Sequence, residues 1–156
     1  WRIDTHPRFV GDANGDGRDD LVGIGYNSVF VALANNSGTG FLAPAAWSTE
    51  PDYSDGWRVE SHPRMMADVN GDGKADLVTF IRDSASGGAR GDVYVAVSTG
   101  NGFGPGRIWH DWFCIGSEVC ATGDANGDGR DDILTFLRSS AGGGATGDVY
   151  VAFSQP

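Results

Sequence analysis

Asp12, Asn14, Asp16 and Asp20 hold positions 1, 3, 5 and 9 of the run Asp12-Ala-Asn14-Gly-Asp16-Gly-Arg18-Asp-Asp20-Leu. The run returns as Asp68-Val-Asn70-Gly-Asp72-Gly-Lys74-Ala-Asp76-Leu and as Asp124-Ala-Asn126-Gly-Asp128-Gly-Arg130-Asp-Asp132-Ile, each start 56 residues after the last. Four side-chain oxygens in one short loop, with a backbone carbonyl expected from position 7 (Arg18, Lys74 and Arg130), make a set of hard ligands suited to calcium. Glycine at positions 4 and 6 lets the chain curl, because it adopts positive φ without steric cost. The sequence therefore predicts three Ca2+ sites. One copy alone would pass for a metal-free Asx turn; three copies with identical oxygen spacing argue against that. A rigid cage with no open coordination position does not catalyse, so the ion is expected to brace the fold.

The helical calcium hand starts the same way but needs a bidentate Glu at position 12. Position 12 here is Gly23, Thr79 and Thr135. The residues that follow each loop, Leu21-Val22-Gly23-Ile24, Leu77-Val78-Thr79-Phe80 and Ile133-Leu134-Thr135-Phe136, are apolar, branched or aromatic and favour strands. A helical pair is disfavoured.

A fixed period of this length signals a repeat architecture. The repeats run 1–56, 57–112 and 113–156. A later strand alternates with period two in each, as Val29-Phe-Val31-Ala-Leu33, Val93-Tyr-Val95-Ala-Val97 and Val149-Tyr-Val151-Ala-Phe153. Glycine-rich hairpins precede it at 83–91 and 139–147, and fourth strands are expected near 41–47 and 103–109. Four antiparallel strands per repeat make the blade of a β-propeller, so the fold is predicted to be all-β. The third repeat stops before its fourth strand, and propellers have about 4–8 blades. Unpaired strand edges invite association. The chain is therefore expected to be part of a larger propeller, either a piece of a longer chain or one completed by a homo-oligomer.

Apolar residues make up 40% of the chain, enough for a globular core, and 25 glycines recur at turns. The net charge is −10, and nine of the 21 acidic residues stand at positions 1, 5 and 9 of the three loops. No basic face exists for a nucleic-acid backbone, no run approaches the ~20 apolar residues of a membrane span, and no leader is recognisable, which reads as a mature or trimmed chain. Cys114 and Cys120 suggest one disulfide and a secreted protein, with two free buried thiols as the alternative. Extended, they would stand ~20 Å apart. A disulfide needs Cα atoms ~4.4–6.8 Å apart, so residues 115–119 must turn back, with Gly116-Ser117 the turn dipeptide.

The loops resemble the FG-GAP/VCBS repeats of integrin-α-like propellers over nearly the whole chain. A narrower likeness runs through residues 1–76. Trp1-Arg-Ile-Asp-Thr-His6-Pro-Arg8 and Trp57-Arg-Val-Glu-Ser-His62-Pro-Arg64, with the loops and strands after them, resemble blades of the Psathyrella velutina lectin family. Those propellers bind N-acetylglucosamine and related sugars between blades. The resemblance implies a carbohydrate site at Tyr53, Asp55, Trp57, Arg58, His62 and Arg64. An aromatic face suits the apolar side of a sugar ring, and convergent polar groups suit its hydroxyls and acetamide. Against that stands a Trp57 that belongs to the core and an Arg64 paired with a neighbouring carboxylate. Repeat 3 has Phe113, Cys114, Glu118 and Cys120 at these places, so its interface is expected to have lost the site. Repeat 1 keeps Trp1, Arg2, His6 and Arg8 without the residues that would precede them. One complete pocket, near Trp57, is expected.

Nothing else in the chain points to catalysis. His6 and His62 are repeat equivalents, and no nucleophile elbow, phosphate loop or zinc helix is present. Asp52 with Asp55, or Asp111 with Glu118, form no favoured acid pair. Arg90-Gly91-Asp92 reads as a hairpin turn rather than an integrin ligand, because Thr146-Gly147-Asp148 stands at the same place in repeat 3. Asn35-Asn36-Ser37 is a glycosylation sequon that matters in a eukaryotic secretory host. The expected function is a secreted, calcium-binding, non-catalytic lectin. A scaffold or accessory propeller of a secreted hydrolase and a protein-binding adhesion module are the alternatives.

Overall fold

The computed structural model describes residues 2–49, 56–83, 88–139 and 144–155. Its regular elements are eleven short strands: β1 (Arg8–Gly11), β2 (Asp20–Ile24), β3 (Val29–Ala32), β4 (Ala45–Ser48), β5 (Arg64–Ala67), β6 (Asp76–Phe80), β7 (Val93–Ala96), β8 (Arg107–His110), β9 (Val119–Gly123), β10 (Asp132–Phe136) and β11 (Val149–Ala152). They form three antiparallel meanders, β1-β2-β3-β4, β5-β6-β7-β8 and β9-β10-β11, each drawn from one sequence repeat. No helix among the described residues is long and apolar enough to cross a membrane.

Each acidic loop is the hairpin between the first and second strands of its sheet. The register pairs Gly11 with Asp20, Ala67 with Asp76 and Gly123 with Asp132, so position 9 opens the second strand. The first strands β1, β5 and β9 pack side by side, and the sheets fan out from them as blades from an axis. The third and fourth strands shift register at the same place in sheets 1 and 2, between Val29 and Phe30 and between Val93 and Tyr94.

Period-two alternation decides which blade each side chain meets. In sheet 1, Val22, Ile24, Val29 and Val31 pack against Leu77 and Ala96 of sheet 2. In sheet 2, Val78, Phe80, Val93 and Val95 pack the other way, against Ile133, Phe113 and the cystine of sheet 3. All five residues of β6 are buried as a result. A strand covered on both faces reads as a continuous apolar run, as Leu77-Val78-Thr79-Phe80 does. Cys114 and Cys120 form the expected disulfide, with Cα atoms 5.5 Å apart. Gly116 takes a positive φ of 58° to bring the chain back, and both sulfur-bearing residues lie in the core between sheets 2 and 3.

Candidate functional site

The three acidic loops share one geometry. The Asp12 carboxylate accepts hydrogen bonds from the amides of Gly15 (2.7 Å), Asp16 (3.0 Å) and Gly17 (2.6 Å). Asp68 accepts from Gly71, Asp72 and Gly73, and Asp124 from Gly127, Asp128 and Gly129. The six glycines at positions 4 and 6 all have φ between 76° and 84°, the left-handed region in which a side chain is strained. At position 3, Asn14, Asn70 and Asn126 each accept from the amide two residues on. The sequence reading gave position 7 a role only through its carbonyl. The structure adds an ion pair from its side chain: Arg18 to Asp16, Lys74 to Asp72 (2.8 Å) and Arg130 to Asp128 (2.6 Å). The signal was a cation at that position in every copy.

Position 9 is buried in all three loops. Asp20 accepts from Ala13 N (3.1 Å) and Ala34 N (2.8 Å), and Asp132 from Ala125 N (3.0 Å) and Ser154 N (2.9 Å). Each therefore fastens its loop to the chain leaving the third strand. Asp76 makes only one of the two bonds, from Ser98 N (2.8 Å). Val69 N, which would supply the other, donates to Ala67 O (3.1 Å), and Asp76 Oδ2 is buried without a hydrogen bond. Burial pushes the Asp76 carboxyl up to about 7, with Asp72 and Asp68 adding repulsion against the lowering effect of the Ser98 amide and, more weakly, of the nearby Val69 amide. Burial also raises Asp20. Burial works against ionisation of Asp72, yet the side chain and amide of Lys74 outweigh it and hold this carboxyl below its usual value. Among the described residues no three acidic, His or Cys side chains converge as a ready-made cage. The donors are nonetheless all hard oxygens, and the buried Oδ2 of Asp76 makes no hydrogen bond, an arrangement that fits a hard cation.

A second cluster lies between sheets 1 and 2. Arg58 N donates to His62 Nδ1 (2.8 Å) while His62 N donates to Arg58 O (2.9 Å), closing the turn before β5. Arg2 and His6 repeat both bonds ahead of β1. The half-buried Trp57 ring stands edge-on to His62 at 5.2 Å and to Tyr94 at 6.2 Å. Arg64 pairs in register with Thr79 and shares a face of β5 with Met66, which packs into the core between sheets 1 and 2. It is 5% exposed, its Nε and Nη1 make no hydrogen bond, and burial pulls its pKa down to about 10. Among the described residues it has no carboxylate partner. His62 Nε2 is likewise buried without a hydrogen bond. Burial lowers the His62 pKa, the Arg64 charge lowers it further, and the nearby Asp83 backbone offsets this in part.

Trp57, His62 and Arg64 thus come together. Tyr94 joins them, which sequence reasoning missed; its signal was one polar-tipped aromatic in an otherwise aliphatic strand. The exposed Arg58 turns its guanidinium back to Trp57 O (2.9 Å). Tyr53 and Asp55, with Asp52 and Trp1, lie outside the described residues.

The equivalent place between sheets 2 and 3 has different chemistry. Glu118 stands where His62 does and accepts from Ile115 N (3.0 Å) and Thr135 Oγ1 (2.8 Å). The cystine replaces both arginines, leaving a cavity of about 380 Å³ lined by Trp112, Glu118, Thr135 and Tyr150. Asp111 is exposed and Glu118 is already engaged, so they form no acid pair. In Arg90-Gly91-Asp92 the Asp92 carboxylate is buried and accepts from Ala89 N (2.9 Å), as Asp148 does from Ala145 N (2.8 Å). Gly91 has φ 95°, and a Cβ there would meet Trp112 Cα at 2.6 Å. This tripeptide is a packed turn. Asn35 Oδ1 accepts from Ser37 Oγ (2.8 Å) and Thr39 N (3.2 Å) within its own turn.

The model of the FG-GAP-like repeat matches residues 12–79 and 68–135. The chain belongs to the FG-GAP-like repeat family. Its sheets are propeller blades, and the fold has solved counterparts. One is a lectin of Agrocybe aegerita that specifically recognises non-reducing terminal N-acetylglucosamine, with 24% identity, a TM-score of 0.51, and 99% of this chain and 54% of that chain covered. Another is the Tc holotoxin pore of Photorhabdus luminescens, with 18% identity, a TM-score of 0.65, and 86% and 6% of the two chains covered. The chain spans about half the length of the lectin. At these identities the likeness is one of fold. No curated protein matches the FG-GAP chain in sequence.

Proposed function

We propose that this chain is a secreted, calcium-braced propeller lectin that binds carbohydrate, N-acetylglucosamine-type sugars above all, and does not catalyse. The observation that carries the reading is the cluster of Trp57, His62, Arg64 and Tyr94 between two blades. It joins aromatic surface to buried nitrogens on Arg64 that lack hydrogen bonds among the described residues, with the His62 ring beside them. A buried donor without a partner costs roughly 1–3 kcal/mol, and a hydroxyl or acetamide oxygen would relieve it. The lectin counterpart supports the sugar class, and the disulfide supports an oxidising compartment. Calcium would be held by Asp12, Asn14, Asp16 and Asp20 and their counterparts in loops 2 and 3, supplying the positive charge that the clustered carboxylates need.

Calorimetric titration with N-acetylglucosamine, in calcium, tests the reading. Binding that Trp57→Ala weakens at least about tenfold is expected, as for the loss of an aromatic anchor. A folded chain that binds no glycan would sink it. That outcome would favour a second reading, a scaffold propeller within a larger protein, which has in its support the higher TM-score to the toxin assembly.

A further inference from the structure

Each acidic loop is fastened to the loop of the blade before it, and the fastening falls on the residues proposed to hold the ion. Ala75 N donates to Asp12 O (2.7 Å), and Asp131 N donates to Asp68 O (2.8 Å). In both cases the carbonyl belongs to position 1 of the earlier loop. The amide belongs to position 8 of the later loop, one residue before its buried position 9. Position 7 joins the same contact. A Cβ on Gly15 would meet Lys74 Cγ at 2.9 Å, and one on Gly71 would meet Arg130 Cγ at 2.9 Å. Positions 7 to 9 of one loop are therefore set against positions 1 and 4 of the loop before.

Each junction carries a second fastening, and the two differ in chemistry. Between loops 1 and 2 it is Ser98, which is buried. Its hydroxyl donates to Ala13 O (2.6 Å) in loop 1, and its amide donates to Asp76 Oδ1 (2.8 Å) in loop 2. Between loops 2 and 3 it is Asp131, whose Oδ2 accepts from Asp68 N (2.9 Å). Ala75 stands at that position in loop 2 and has no side-chain acceptor. Ser154, the counterpart of Ser98, turns its hydroxyl to Asp131 O (2.6 Å) within its own loop. A hydroxyl bridges one junction and a carboxylate bridges the other.

We infer that Ser98 and Asp131 are positioning residues that couple ion binding in neighbouring loops, so that the three loops fill cooperatively. This rests on the reading of the loops as calcium sites. Once loop 1 is ordered around its ion, the carbonyls of Asp12 and Ala13 are fixed. Ala75 and Ser98 then hold Asp76, whose Oδ2 makes no hydrogen bond, with less freedom left to lose. Asp68 acts on Asp132 in the same way through Asp131. A site that is already ordered loses less conformational entropy on binding, which gives positive coupling. Repulsion between neighbouring ions opposes this, and the three carboxylates of each loop offset that charge.

The test is a calorimetric calcium titration of the metal-stripped chain, well below its melting temperature in chelator. Three equivalents and a Hill coefficient above 1 are expected. Asp16→Ala should weaken the ions left in loops 2 and 3 at least about fivefold, the lower end of typical coupling. Ser98→Ala, folded by circular dichroism, should still take up three equivalents with a Hill coefficient nearer to 1. Asp131→Ala should do the same, and it carries the test if Ser98→Ala misfolds. Uptake with a Hill coefficient of 1 or below in the wild-type chain overturns the coupling and leaves the calcium reading standing. A coefficient above 1 that neither variant lowers overturns the roles of Ser98 and Asp131. A folded chain that takes up no calcium overturns both the coupling and the calcium reading.

Discussion

At the scale of the residue, Arg64 is the side chain whose position is hardest to explain by stability. It sits buried in the blade interface without an ion pair among the described residues, at a cost to folding. Replacing a buried charge by an apolar side chain of similar volume is often stabilising by about 1–4 kcal/mol. Arg64→Met should therefore raise the melting temperature while weakening sugar binding at least about tenfold. Loss of both stability and binding would show that the guanidinium braces the fold instead. His62 gives a signature in pH. Its folded pKa lies below the ordinary 6.5, so the unfolded chain takes up the proton first. The stability this side chain contributes is present above about pH 6.5 and is lost as the pH falls through the folded value. Chemical denaturation between pH 7 and pH 5 should show a decline that His62→Gln makes shallower. An unchanged slope in the variant would mean that this imidazole is not the group responsible.

At the scale of the element, strands and loops hold one another through a few buried contacts. Ser98 leaves β7 and donates its hydroxyl to Ala13 O of loop 1 (2.6 Å) while its amide holds Asp76. Ser98→Ala should cost about 1–2 kcal/mol, the worth of a buried hydrogen bond whose acceptor is left unpaired. Leu77→Ala should cost more, about 2–5 kcal/mol, because it opens a cavity where two blades meet. Urea unfolding of both variants checks the order, and a smaller loss for Leu77 would mean that the blades relax into the space. The strands themselves were readable from alternation, and the turns from Gly-Asp signals. The direction in which each alternating residue points was not, because either face of a central blade is buried.

At the scale of the molecule, the acidic loops line up on one end of the blades and are chained together by Ala75 N to Asp12 O and Asp131 N to Asp68 O. Removing the proposed calcium should destabilise all three blades at once, since ionised carboxylates would face one another unscreened. With the free ion at 100 times its Kd, each occupied site adds about 2.7 kcal/mol. A chelator should lower the melting temperature by several degrees, and Asp72→Ala should reduce the bound ion from three equivalents to two. A melting curve unmoved by chelator would leave these loops as amide-braced turns.

The chain's own sequence determined the repeat, its all-β blades, the acidic hairpins and the cystine. These are local matters of spacing, glycine placement and alternation, and a 56-residue period repeats them with little change. It also placed Trp57, His62 and Arg64 in one short stretch. Only the tertiary structure decided that Arg64 lies buried against the neighbouring blade, that Tyr94 joins the cluster, and that Asp20 and Asp132 rivet loops to strands. Those outcomes depend on which residues from separate strands are buried together, and burial between blades is set by packing across the whole set of sheets.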